Sequence, residues 1–372
     1  MSESYVEGVL PFSTDPDSRE DYINTYGGVR IAKLLEDLDA LSGAISYRHA
    51  DDSNHHTLPL AIVTATVDRI DLLNVLDIDR DMRLSGHVSY VGRSSMEITI
   101  RQGETHADAR DGMIPIMLSR FTMVARDPTH GNAVRVNTLA LSSHLEHDIF
   151  DKGRRAKEAA KEARRANLSR TAPTADESRF IHTTWARNFE IEDMVPTVRA
   201  DAITPRQTQL SRAVITHPGQ RNLNGHAFGG YLLAQAYDLS FITANLHLGR
   251  RPRFLSSSQL TFQNPVPIGS VLDFRSRIVA QDGSKFTITV TADKVDPETR
   301  ARTTASVFHY TFSRVCRVEG STEEAVETCG RDLVAETYGD AIRHVAARRR
   351  EADSVAREEQ LRIFHELRLP TV

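Results

Sequence analysis

The same pattern is written twice in this chain, and that repetition restricts its fold more than any single residue does. Each half opens with an amphipathic helical segment and continues into long alternating runs. The first helix sets Ile31, Leu34, Leu35, Leu38, Leu41 and Ile45 on one face; the second, from Gly229, sets out Leu232, Leu233, Ala236, Leu239 and Ile242. Apolar residues three and four positions apart make one buried stripe of an α-helix. Strand patterns follow over 62–73, 82–92, 94–102 and 114–127 in the first half, and over 253–262, 270–280, 284–295 and 301–315 in the second. Period-two alternation rich in β-branched residues predicts antiparallel strands. Asp68 matches Ser258, Ile70 Leu260, Leu72 Phe262, Ser94 Ser284 and Ile98 Ile288, all at one displacement of 190 positions.

One helix followed by a meandering sheet, twice over, describes an α+β chain of two fused hotdog domains. In such a double hotdog each sheet wraps its own helix and the sheets join edge to edge. A generic pair of α+β domains gives the same periodicity. The length of 372 residues suits two domains. The expected divisions are an N-terminal extension (1–19), a first hotdog domain (20–140), a charged helical linker (141–200), a second hotdog domain (201–318) and a C-terminal helical extension (319–372). Within the linker, 151–169 is rich in Ala, Lys, Arg and Glu without an apolar stripe, which predicts a solvated helix, and 171–178 reads as a loop. A charged helix is expected over 341–364, available to pack on a partner subunit.

A net charge of −4 supplies no field for nucleic acid. Two cysteines, Cys316 and Cys329, make neither a disulfide framework nor a four-ligand zinc site and fit a reducing compartment. No apolar run approaches the ~20 residues that span a bilayer, so no stable membrane insertion is expected. The first 21 residues are acidic and lack an apolar core, unlike a secretory signal or a typical transit peptide. These features predict an intracellular protein. Neither a metal nor another cofactor is expected: His55 and His56 lack acidic or Cys partners at ligand spacing and read as loop residues.

Gly229 and Gly230 lie where a loop runs into a helix, so the unpaired N–H groups of that helix tip are open to a close approach. Asn224, six residues before Gly230, carries an amide that both donates and accepts. On residue type alone, tight packing for the glycines and a turn or cap for the asparagine explain both. The first helix carries acids: Asp37 and Asp39 flank its apolar stripe on opposite sides and Glu36 faces solvent, which does not choose among them.

The run Asn-Gly-His-Ala-Phe-Gly-Gly-Tyr-Leu-Leu from Asn224, followed by Phe-Gln-Asn-Pro-Val-Pro-Ile-Gly from Phe262, resembles acyl-CoA thioesterases of the hotdog class. Ser-Met-Glu-Ile at 95–98 is similar to the same class, and Gly-Val-Arg-Ile-Ala-Lys-Leu-Leu-Glu-Asp-Leu-Asp ending at Asp39, Glu-Thr-Tyr-Gly at 336–339 and the charged linker are similar to its mitochondrial-type double-hotdog subgroup. The likeness spans roughly residues 10–345. It implies hydrolysis of fatty acyl-CoA to fatty acid and CoA. By that resemblance Gly230, with Tyr231, offers N–H groups to the thioester oxygen, Gly229 and Phe228 line the substrate, and Asn224 holds a water or the carbonyl.

Single-domain relatives place an aspartate seven residues after the second glycine. Here that position is Tyr237, with Asp238 one step on, whereas the matching position of the first helix is Asp39. Conversely, the position matching Asn224 in the first half is Tyr26. Each half keeps what the other lacks, so one composite site is expected, with Asp39 as general base or nucleophile, and an inert counterpart at Tyr26 and Tyr237. Asp37 and His226 rank behind. His226 also raises an enoyl-CoA hydratase as an alternative reaction, and a single site per chain raises a non-catalytic acyl-CoA sensor. Arg93, Arg250, Arg251, Arg253 and Lys285 are candidates for the CoA phosphates, with none singled out. The resemblance further implies a homo-oligomer, a trimer or dimer of double hotdogs, and a mitochondrial location, with the cytoplasm as the alternative.

Overall fold

Ten strands form one antiparallel sheet whose order reads the same from either end. The structure is a computed structural model describing residues 1–51, 60–105, 113–129, 131–165, 168, 171–192, 195–317, 326–328 and 330–352. In chain order the strands are β1 (Val6–Leu10), β2 (Ala61–Leu72), β3 (Met82–Val91), β4 (Ser95–Thr105) and β5 (Met113–Arg126), then β6 (Leu210–Ile215), β7 (Arg253–Phe262), β8 (Val271–Asp282), β9 (Lys285–Val295) and β10 (Arg302–Ser313). Their order across the sheet is β1-β3-β4-β5-β2-β7-β10-β9-β8-β6. The halves meet where β2 pairs with β7, Asp71 opposite Ser256 and Val67 opposite Leu260.

Each five-stranded half curls around one helix, Ile31–Ala50 in the first and Gly229–Leu248 in the second. Leu34, Leu35, Leu38 and Ile45 of the first helix are fully buried, as are Leu233 and Ala236 of the second, so these residues face the core; Ile242, expected in the second stripe, is instead 47 % exposed. Gly249, left-handed at φ 66°, ends the second helix and returns its N–H to the Asn245 carbonyl. The two helices pack on each other, and the molecule is a double hotdog, as the α+β repeat predicts.

Both outermost strands escaped the sequence pattern. β1, within the expected N-terminal extension, and β6 are short, and their side chains are mostly exposed, so neither shows clean alternation. The linker differs too. Its helix begins at His144, and its first turns are not solvated: Ile149 joins Met1, Leu73, Met113 and Leu118, with Leu145 and Phe150 packed against them. Residues 171–178 are not wholly a loop, because Thr174 caps a helix over Ala175–Asn188 in reciprocal hydrogen bonds with Glu177. The C-terminal helix, Tyr338–Ala352, lies on its own second-half sheet, where Ala347 packs on Val279 and Ala280, and Arg349 pairs with Glu177 at 2.6 Å. The remainder of the expected C-terminal helix, His55, His56 and Cys329 lie outside the described residues. Cys316 falls on the short strand Val315–Arg317.

Candidate active site

Two loops of one design lead into the two central helices. In the second half Asn222 Oδ1 accepts from the N–H groups of Asn224 (2.9 Å) and His226 (3.1 Å); in the first, Asn24 Oδ1 accepts from Tyr26 (2.9 Å) and Gly28 (3.1 Å). Gly225 and Gly27 take the left-handed turn at φ 75° and 73°, and bridges Arg221–Ala227 and Ile23–Val29 close the loops. The helices then run in register, Ile31 with Gly229 and Ala50 with Leu248, a displacement of 198 positions. That register pairs Tyr26 with Asn224, Asp39 with Tyr237 and Ala32 with Gly230. The strands keep 190, and the difference falls in the longer connection that follows the first helix.

The glycines let the helices touch. A β-carbon on Gly230 would stand 2.8 Å from Glu36 Cα, and one on Gly229 would stand 2.8 Å from Asp39 Oδ2. Asp39, 1 % exposed, thereby meets the tip of the other half's helix: the N–H of Gly230 donates to Oδ2 at 2.6 Å. Thr64 of β2 donates its hydroxyl to Oδ1 at 2.7 Å. Burial raises the carboxyl to about 6, against the lowering pull of the Thr64 and Gly230 hydrogen bonds. The group is therefore mostly ionised at neutral pH yet basic enough to accept a proton.

The structure thus joins Asp39, Gly229 and Gly230, but the Gly230 N–H differs from expectation. It is taken by the carboxylate, because a buried anion beside a helix N-terminus captures the nearest donor. Among the described residues, the N–H groups of Gly229 and Tyr231 form no hydrogen bond. Asn224 lies on the loop ahead of this tip, half-buried, its amide in no hydrogen bond among the described residues and not bonded to Asp39. Phe228 is the N-cap, its ring set beside Gly230, and Tyr231 is half-buried. Asp37 belongs elsewhere: its Oδ2 accepts from the Tyr22 hydroxyl at 2.5 Å. Glu36 does not simply face solvent; it pairs with Lys33 at 3.3 Å, and its backbone is the surface Gly230 packs on. His226 enters the turn through its backbone, and its ring makes no hydrogen bond to Asp39 among the described residues.

Thr64 is the member that the sequence left unnoticed. Its strand position matches Phe254, and only the pairing of Asp39–Thr64 with Tyr237–Phe254 marks it. Around Tyr237 the counterpart is filled with rings: Phe254, Tyr310, Phe312 and Phe241 lie 5.4, 5.6, 6.3 and 6.3 Å away. The acid and its hydroxyl partner are replaced by apolar packing. Arg251, a phosphate candidate, stands 5.0 Å from the ring centre of Tyr26 at this second location. A cavity of about 620 Å³ lies apart from both, between the helix Ala175–Asn188 and the C-terminal helix, and none of these groups lines it. Among the described residues no three His, Cys, Asp or Glu side chains gather to hold a metal.

Comparison with known proteins bears on what this arrangement serves. Residues 224–301 match the family model of the thioesterase superfamily. Mitochondrial acyl-coenzyme A thioesterase 9 of Homo sapiens is 33% identical over 316 residues, 84% of this chain and 71% of that protein. The chain belongs to the acyl-coenzyme A thioesterase family. A chloroplastic acyl-coenzyme A thioesterase 2 of Humulus lupulus is 34% identical, over 84% of this chain and 72% of its own. A solved acyl-ACP thioesterase of Bacteroides thetaiotaomicron superposes with TM-score 0.48 at 12% identity, over 84% of this chain and 98% of that one. In this thioesterase no helix among the described residues is long and apolar enough to cross a membrane.

Proposed function

We propose that the hydrolysis of acyl-CoA thioesters, the reaction of this family, takes place at one composite site per chain. The observation that carries this reading is the Asp39 carboxylate held between Thr64 of its own half and the Gly230 N–H of the other. Asp39 acts as general base: its carboxylate takes a proton from a water steadied by the Asn224 amide, and the hydroxide attacks the thioester carbonyl carbon. Negative charge then develops on the carbonyl oxygen, where the N–H groups of Gly229 and Tyr231 stand as the remaining donors of the helix tip. Collapse of the tetrahedral species breaks the C–S bond, and the CoA thiolate takes the proton back from Asp39. Thr64 and Gly230 fix the carboxylate and hold its basicity in a useful range.

A single turnover in ¹⁸O-water tests the role of Asp39. General-base chemistry labels the fatty acid, leaves the aspartate unlabelled and yields no acyl–Asp39 adduct on rapid quenching; label in the Asp39 carboxylate or a trapped acyl adduct would reassign it as the nucleophile of an anhydride. A thiol-release assay separates the other classes. Free CoA marks the thioesterase, hydration of enoyl-CoA a hydratase, and binding without turnover a sensor. The lack of an Asp39–His226 pair supports the first.

Both sheet edges, β1 and β6, are mostly exposed, which favours association into a trimer or dimer of double hotdogs. Light scattering on the eluting protein reads that state. The mitochondrial names of several relatives support a mitochondrial location, which organelle fractionation tests.

A further inference from the structure

Gly43 is a mid-helix glycine without a packing reason. It lies one turn beyond Asp39 on the same face of the first helix, and a β-carbon there would meet nothing within 4 Å. Glycine weakens a helix interior relative to alanine, so a glycine bordered by open space marks a position where something other than the protein fits. Its counterpart at the displacement of 198 is Phe241. That ring lies 6.2 Å from Tyr26 and 6.3 Å from Tyr237 and closes the equivalent strip. Asn245 donates to the Tyr26 hydroxyl at 3.3 Å, and Arg251 covers the Tyr26 ring. At the Asp39 site the matching positions are Asn224, Gly43 and Tyr47, and the Tyr47 hydroxyl is turned inward to accept from the Ile62 N–H at 3.1 Å. The position that Phe241 fills in one half is left unfilled by Gly43 in the other.

We infer that Gly43 is a specificity-determining residue whose missing side chain admits the pantetheine arm of CoA to Asp39, while Phe241 bars CoA from the twin. The inference rests on the composite-site reading. A thioester at Asp39 carries two arms of opposite chemistry. The acyl chain gains from burial, whereas the arm that ends in phosphates has to leave by a route open to water. Gly43 is only partly buried, so the strip beside it reaches solvent. By the same register Asn224 and Gly43 stand where Tyr26 meets Phe241 in the twin, and the Asn224 amide suits the amides of pantetheine.

The test is a size series in the full chain, Gly43→Ala, Gly43→Leu and Gly43→Phe. CoA affinity is measured by calorimetry, and steady-state rates with short, medium and long acyl-CoA. CoA affinity falls with side-chain size, by about tenfold or more for Gly43→Phe. The kcat/KM falls by a similar factor at every chain length, mainly through KM, and the melting temperature does not drop. Unaltered CoA affinity across the series overturns the inference, as does a loss confined to long chains, which would put the acyl arm in the strip. Should Gly43→Phe fail to fold, the Leu variant decides the same question. Asp39→Asn in parallel separates the two readings: turnover retained there defeats the composite site, whereas turnover lost there with normal CoA binding by Gly43→Phe defeats only the channel.

Discussion

At Asp39, function and stability pull apart. Its carboxyl sits at about 6 in the fold against an ordinary 3.8, so between those values the native state keeps a proton that the unfolded chain releases. Stability accordingly falls as pH rises through that window and stays lower above it. Asp39→Asn removes the charge but keeps the contacts, because the amide oxygen accepts from Gly230 and the amide nitrogen donates to the Thr64 oxygen. Urea titrations are expected to show the variant more stable at neutral pH by on the order of 2 kcal/mol, a gain that vanishes below about pH 4. With Asp39 as the base, kcat/KM is expected to rise with pH through about 6 as it ionises. Thr64→Val removes a hydrogen bond to the charged form, so that midpoint moves upward; a pH–rate profile that does not move would show that Thr64 leaves the base untouched.

The element that makes the site is a helix tip bared of side chains. Gly230→Ala drives a β-carbon into the Glu36 backbone and the Phe228 ring, forcing the helices apart. The expected result is a loss of about 1–3 kcal/mol in thermal unfolding, with roughly a hundredfold lower turnover as the Gly230 N–H leaves Asp39. Both central helices and the eight long strands were legible in the sequence, because burying one face imposes a period of 3.6 or 2. β1 and β6 were not, since edge strands with exposed side chains carry no such imprint. The linker helix was legible only in part: the charged run from residue 151 is helical and mostly exposed, as expected, but the docking residues Leu145, Ile149 and Phe150 precede it and carry no such charge signal. Asp39 and the glycines were legible through family likeness. Thr64 was not, because one hydroxyl in a strand of alternating threonines looks like any other.

Across the whole molecule, the two copies of the repeat are no longer equivalent. The seam between β2 and β7 holds two hotdogs in one sheet, and the helices cross so that the acid of the early copy meets the tip of the late one. The reciprocal crossing has become core, with Tyr237 boxed in by aromatic rings. Tyr237 packs among those rings, and its hydroxyl makes no hydrogen bond among the described residues. The same asymmetry predicts one CoA bound per chain. The most direct test of the composite site is the turnover of Asp39→Asn beside that of Tyr237→Phe. The account predicts a loss of about a thousandfold or more in the first and a rate within about twofold of the parent in the second. Substantial turnover in Asp39→Asn that disappears when Tyr237→Phe is added would contradict it.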